Sequence, residues 1–437
     1  MTRAVPLAGV ILAAVLSPRD GWAQQPSSPT LELHALQQAA VAADPRGAEL
    51  QLFNEQSALR LKNLAVLRLP TIGADAQAQY QSDVATAPLA GPGGRPLFAP
   101  PKATYDSAIR IDQRLFDPAI AAQTALERAQ LAEQQARLQT ALYAVRQSVN
   151  EAFFAAAALH QRANTLAAAI ADLEGRLREM EARVREGAAV PADAAAVEAT
   201  LLQRRQEDDE LRANRRAALA RLGTLTGRAI GEDASPVLPD LAARVAAARA
   251  SLATLRARPE YAQFARMSER LARQREAVAA QARPKASAFG RVGYGRPGLN
   301  FIQGEFETYG LGGVRIQWNA WTWGTTGRER EALALQQRVV AADEAAFARG
   351  LAEAIEGDLA SIDRLQRALT LDERIVALRR EVERMTQVRL QEGVVTASEY
   401  LARSAELLQA RVAYAGHEVE LAQASARLLT TLGLEVR

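Results

Sequence analysis

Apolar and polar residues follow two different periods along this chain. From Pro70 the period is 2: Ile72, Ala74, Ala76, Ala78 and Tyr80 alternate with Gly73, Asp75, Gln77, Gln79 and Gln81. After a stretch rich in proline and glycine, residues 87–101, Ile109, Ile111 and Leu115 oppose Arg110, Asp112 and Arg114. This predicts a β-hairpin with one apolar face and one strongly polar face. The pattern returns in the second half. Ala286, Ala288, Val292 and Tyr294 alternate with Ser287, Arg291 and Gly293, and residues 295–304 make the turn. On the return, Val314, Ile316 and Trp318 oppose Arg315, Gln317 and Asn319.

Elsewhere the period is helical. Residues 118–186 and 324–392 lack an internal proline, carry only isolated glycines and are rich in Ala, Leu, Glu, Gln and Arg, a coiled-coil composition. At 1.5 Å per residue each predicts a helix of roughly 100 Å. Each stops at a glycine, Gly187 or Gly393, and a shorter helix returns from it. Residues 31–67 read as helix broken near Pro45, and 45–69 and 259–283 read as short helices that continue the return helices toward the strands.

The recurrence is a duplication. Without a gap, Arg183, Glu186, Gly187 and Asp193 fall on Arg389, Glu392, Gly393 and Glu399, and Leu201, Leu202 and Gln203 on Leu407, Leu408 and Gln409. Pro45 and Pro70 are spaced as Pro259 and Pro284 are. The expected organisation is a signal peptide over 1–23, a first structural repeat over 24–230 and a second over 231–437. The first holds a β-hairpin at about 70–117 and a long helical hairpin at about 118–227; the second holds them at about 284–320 and 322–433.

Composition narrows the functional classes. The 53 basic and 50 acidic residues nearly balance, which leaves no footprint for nucleic acid or an anionic membrane surface. With Arg3, Arg19 and Asp20 removed as part of a signal peptide, the balance stays close to neutral. Cysteine is absent, so disulfides, thiolate metal sites and an N-terminal lipid-bearing cysteine are excluded. His34, His160 and His417 lack ligand spacing and read as solvated helix positions. Residues 1–23 have the form of a secretory signal: Arg3, an apolar run over 4–16 and Gly21, Trp22, Ala23 at the cleavage site. No later run of 18 apolar residues predicts a spanning helix. An exported chain of this kind either stays soluble or enters a membrane as strands.

Four strands per chain cannot close a wall in lipid, where every unpaired backbone group costs several kcal/mol and barrels need at least eight strands. Several copies can share one. Trp318, Trp321 and Trp323 cluster where the last strand gives way to helix. An aromatic girdle at a membrane interface explains the cluster, and ordinary core packing is the alternative.

At this point the chain resembles the TolC-like outer-membrane efflux proteins over nearly all of residues 31–433. The features carrying the resemblance are the tandem halves, the helix starts at Asp44, Pro45 and at Arg258, Pro259, Glu260, and Pro70 and Pro284 opening the hairpins. Leu115, Phe116, Asp117 closing a strand and the glycine-to-acid turns Gly187/Asp193 and Gly393/Glu399 complete the set. The resemblance implies a mainly α fold with a β-barrel portion: long antiparallel α-helical hairpins forming a periplasmic α-barrel, plus four transmembrane β-strands per chain. Three copies then make a 12-stranded barrel. It implies an outer-membrane exit duct of a Gram-negative bacterium that extends into the periplasm, a homotrimer among outer-membrane lipid. Its partners are a periplasmic adaptor (membrane fusion protein) and, indirectly, an inner-membrane pump of RND, ABC or MFS type, which selects the cargo. It implies no cofactor. The usual proline before Leu-Phe-Asp is Arg114 here, and Ala320, Trp321, Thr322 replace the triplet in the second half. An exported coiled-coil scaffold or adhesin without a channel is the alternative; it would not require detergent for extraction, whereas the duct would.

No catalytic constellation stands out: there is no phosphate-binding glycine loop, no Cys/His pair and no Gly-x-Ser-x-Gly. Residues 290–295 are glycine-rich but lie in an alternating strand, as in a barrel wall. The chain is not expected to be an enzyme. Gly187 and Gly393 have a sufficient structural reason as left-handed caps. The resemblance adds adaptor contact through Gly187, Ala188, Ala189, Val190, Gly393, Val394 and Val395. Thr396 and Glu399 fit a capping box, and Asp193 an acid favoured by the dipole of its own helix. The resemblance instead makes Glu399 part of a carboxylate ring at the periplasmic aperture, with Asp193 a second aperture candidate. The polar latch of the best-known relative corresponds here to Leu390 and Val395, so that latch is not expected.

Overall fold

A computed structural model describes residues 30–84, 100–252, 257–299 and 304–436. The proposed signal peptide and the loop at Gly91, Pro92, Gly93 and Gly94 lie outside the described residues. The chain is mainly helical, with the elements β1 (Thr30–Glu32), α1 (Leu33–Ala43), α2 (Glu49–Val66), β2 (Thr71–Tyr80), β3 (Ala103–Phe116), α3 (Pro118–Arg185) and α4 (Pro191–Thr226), followed by β4 (Ser235–Val237), α5 (Ala242–Ser251), α6 (Pro259–Gln281), β5 (Lys285–Arg296), β6 (Glu307–Gln317), α7 (Thr325–Gln391) and α8 (Ala397–Thr431).

The two long helices run 68 and 67 residues without a break. Local chemistry starts them differently. Asp117 accepts the Ala119 amide at 3.0 Å, with Pro118 in the first helical position, where its missing N–H costs nothing. α7 begins after Gly324 in the left-handed region, with no side-chain cap. Each long helix is flanked along one part of its length by a return helix and along the rest by a short one. The order is α4, α3, α8, α7 toward the glycine turns and α2, α3, α6, α7 toward the strands.

Two glycines make the change of flank possible. A Cβ on Gly433 would lie 2.5 Å from the Ala257 carbonyl carbon, and one on Gly227 2.9 Å from Ala43 Cβ; both glycines have positive φ. The end of α8 therefore abuts the start of α6, and the end of α4 abuts the end of α1, as only glycine permits. Around this level sits the main core. Val149, Phe153, Phe154, Leu219, Leu222, Ile362, Leu428 and Leu429 bring α3, α4, α7 and α8 together. Fully burying each such side chain is worth about 1.5–3 kcal/mol. The buried amides of Gln37 and Asn150 are satisfied in series, Gln37 Nε2 to Asn150 Oδ1 at 2.5 Å and Asn150 Nδ2 to Thr430 Oγ1 at 2.9 Å. β1 and β4 pair in parallel beside the core, a small sheet that the sequence pattern does not reveal.

The other four strands form one antiparallel sheet in the order β2-β3-β5-β6. The hairpins at residues 70–117 and 284–320 thus lie side by side, with β2 and β6 as open edges. The register sets Ile72 opposite Ile111, Ile109 opposite Val292 and Ala288 opposite Val314 on one face. Gly73 opposite Arg110 and Ser287 opposite Arg315 lie on the other. The sheet of a single chain does not close. On its apolar face Ile72, Val292, Val314 and Ile316 are each about two-thirds exposed or more. Among the described residues no helix is long and apolar enough to cross a membrane.

Candidate functional site at the paired helical tips

The glycine turns are built alike. Gly187 (φ 73°) donates to the Val184 carbonyl at 3.1 Å and Ala188 to that of Arg183 at 2.8 Å. Gly393 (φ 74°) donates to Leu390 at 3.1 Å and Val394 to Arg389 at 2.9 Å. These are paired 5→2 and 6→1 bonds that satisfy the last carbonyls of a helix. Nothing lies within 4 Å of a Cβ placed on either glycine, so backbone conformation alone requires them. Gly187, Ala188, Val190, Gly393 and Val394 are exposed, while Ala189 and Val395 are half-buried.

The two tips pack on each other. Leu173 and Met180 of α3, Val197 and Leu201 of α4 and Ala397 of α8 form a buried cluster with Ala189 and Leu390 at its rim. Two polar contacts then join the halves across more than 200 positions of sequence. Arg183 reaches the Leu390 and Gln391 carbonyls at the end of α7, at 3.3 and 3.4 Å. Asp193 Oδ1 accepts the Ala397 amide that opens α8, at 3.3 Å. A cation meets the negative end of one helix and a carboxylate the positive end of the next, the favoured signs at both. Asp193 was expected to serve its own helix; it also serves the neighbouring one.

Glu399 is placed differently. Its amide donates to Thr396 Oγ1 at 3.3 Å, the first half of the capping box. Its carboxylate is exposed and makes no hydrogen bond or ion pair among the described residues. Thus α8 begins with two borrowed acceptors, Thr396 and Asp193. α4 begins with none and instead opens on Pro191, which has no amide to satisfy.

Behind the tips lies a polar cluster that the sequence did not single out. Tyr400 is fully buried; its hydroxyl donates to Glu383 Oε1 at 2.7 Å and lies 3.3 Å from Asp172 Oδ2. The Arg176 guanidinium stacks over the Tyr400 ring at 4.4 Å and lies 3.1 Å from Asp172 and 3.7 Å from Glu383. Burial, followed by the Glu383 contact, raises the Tyr400 pKa, so the hydroxyl stays a donor. These four side chains tie α3 to α7 and α8. The partners are far apart in sequence and carry no spacing signal, so only the folded seam shows them.

The tryptophans stand at the other end of α7. Trp318, Trp321 and Trp323 are all exposed, so none packs into a core of this chain. Trp318 Nε1 donates to the Ala282 carbonyl at 3.1 Å, and Trp321 and Trp323 meet edge to face at 5.8 Å. Among the described residues no group of three or more His, Asp or Glu side chains comes together as a metal site would require.

Comparison with known proteins agrees with this architecture. Residues 34–228 match the outer membrane efflux protein family. No curated protein sequence matches the chain. Among solved structures, the outer membrane protein VceC of Vibrio cholerae is similar at TM-score 0.67 and 16% identity, over 93% of this chain and 97% of that one. CusC, whose structures concern transmembrane channel formation, is similar at TM-score 0.69 and 11% identity, over 92% of each chain. The open state of the Neisseria gonorrhoeae MtrE outer membrane channel is similar at TM-score 0.64 and 18% identity, over 93% of this chain and 89% of that one. Residues 34–228 are therefore similar to the outer membrane efflux protein family, and the chain as a whole shares the fold of these TolC-like outer-membrane channels.

Proposed function

We propose that the protein is the outer-membrane exit duct of a tripartite efflux or secretion system, working as a homotrimer without chemistry or cofactor. The observation that carries this reading is the open four-stranded sheet, with free β2 and β6 edges and an exposed apolar face. Backbone edges cannot face lipid, and a four-stranded sheet is too narrow to close on itself. Three copies joined edge to edge close a 12-stranded wall with the apolar face toward lipid and the polar face toward the lumen. The helices support the same joining: Leu371, Ile375, Leu378, Met385 and Val388 leave an exposed seam along α7 at coiled-coil spacing, suited to a second copy.

In this reading residues 1–23 are a cleaved export signal, and the repeats 24–230 and 231–437 each supply a strand hairpin and a helical hairpin. Trp318, Trp321 and Trp323 sit at the periplasmic membrane interface. The paired tips meet the periplasmic adaptor through Gly187, Ala188, Ala189 and Val190 and through Gly393, Val394 and Val395. Glu399 rings the aperture, and the pump that supplies energy and cargo is reached through the adaptor. The mass of the detergent-solubilised particle, corrected for bound detergent, tests the assembly. Three chains are expected; a monodisperse monomer with full strand content would sink the shared barrel.

A further inference from the structure

The polar face of the sheet is not evenly charged. In its middle, cations and carboxylates are matched. Arg291 pairs with Asp106, which also accepts the Tyr309 hydroxyl, and Arg110 lies 2.8 Å from Asp112 and 3.3 Å from Asp75. At the end that meets the helices the balance fails. Arg114, Lys285 and Arg315 together line a concavity of 420 Å³. Asp112 and Asp117 line it too, and Arg110 holds Asp112 at 2.8 Å. Asp117 is the carboxylate left to the three cations. It lies 3.5 Å from Arg114 Nη1 and 3.6 Å from Lys285 Nζ, and it already caps α3 through the Ala119 amide. Arg315 has no carboxylate partner among the described residues; its guanidinium lies 4.8 Å from the centre of the Phe289 ring. Three cations therefore face Asp117 and an Asp112 that Arg110 already holds.

We propose that these residues form a basic belt at the junction of barrel and helical tunnel that binds and favours anionic cargo, small molecules bearing two or more carboxylates or comparable acids. The proposal rests on the channel reading above, because it is the closed wall that turns one chain's surplus charge into a ring. Like charges repeated around a narrow lumen backed by protein raise the local potential and concentrate counter-ions there. Arginine suits the task because its planar fork takes a carboxylate with two hydrogen bonds, and the Phe289 ring holds the Arg315 guanidinium in place. The belt lies far from the tips, so its field is separate from that of Glu399.

The test is the Lys285→Gln, Arg315→Gln double variant, which preserves size and polarity on the lumen face. In planar bilayers under a KCl gradient, the anion-to-cation permeability ratio should fall about threefold or more in the variant. Citrate added to the bath should reduce the current of the unmodified trimer and affect the variant less. A ratio and a citrate response unchanged in the variant, at normal conductance, would overturn the belt. Calorimetric titration of the detergent-solubilised trimer with citrate separates this idea from the channel reading. Binding that is present in the unmodified protein and lost in the variant supports the belt even if no current flows. Intact trimers that conduct nothing would sink the channel, and absent citrate binding would sink the belt.

Discussion

Asp193 and Glu399 occupy matching positions after matching glycines, yet the fold uses them in opposite ways. The first-half carboxylate is half-buried and spent on the Ala397 amide of the other tip; the second-half carboxylate is exposed and unpartnered. Arg183 and Arg389 divide in the same manner: the Arg183 side chain holds the end of α7, and Arg389 is exposed with no side-chain partner among the described residues. Two similar helical hairpins laid side by side have an inside seam and two outside flanks. The first half supplies the groups that close the seam, and the equivalent groups of the second half are left facing outward. Equivalence in sequence therefore does not carry equivalence of role.

The strongest way to break this comparison is at the residues that open the two return helices. Ala397 is fully buried between the tips, whereas Pro191, its counterpart, is exposed. Ala397→Asp places an unpaired charge in an apolar seam beside Asp193 and should cost about 3 kcal/mol or more. Pro191→Asp should change stability by less than about 0.5 kcal/mol. Amide hydrogen exchange at the start of α8 reads the difference; equal protection in the two variants would mean that the tips do not pack together.

The glycines sharpen the opposite point, because here the halves should agree. Gly187→Ala and Gly393→Ala each force an L side chain into the left-handed region without a clash, at a cost of about 1–2 kcal/mol. Exchange at the last amides of α3 and α7 should rise by the same factor. A marked inequality would show that something other than backbone conformation holds one of them.

The smallest effect on stability belongs to the carboxylates. Asp193→Ala should loosen the start of α8 by about 1 kcal/mol, as the loss of a capping acceptor does. Glu399→Ala should loosen it less, since Thr396 remains to cap the helix. Conductance should reverse the order. Glu399→Gln should lower cation selectivity and relieve trivalent block in planar bilayers, and Asp193→Asn should do less, because its charge is already committed to a helix end. Unchanged selectivity in Glu399→Gln, in normal trimers, would leave that residue as a member of the capping box only.

Much of this protein is legible from local pattern. Period-2 alternation announced β2, β3, β5 and β6 and told their two faces apart, because side chains alternate across a strand whatever it pairs with. The long helices and their glycine ends were legible for an equally local reason: proline and positive φ act within a few residues. Thr396 could be seen to cap α8 because its partner is three positions away. The small parallel sheet of β1 and β4 was not legible, being two short segments of three residues each that pair across the length of a repeat.

What only the tertiary structure decided are the contacts between halves. That β3 lies beside β5, that Asp193 serves α8, that Arg183 serves α7 and that Tyr400 collects Asp172, Arg176 and Glu383 depend on which helix faces the seam. No rule of spacing encodes such a choice between two similar hairpins. It is made by the side chains that bury together, with Ala397 small enough to let the tips close, and the free carboxylate of Glu399 is what remains once the seam is filled.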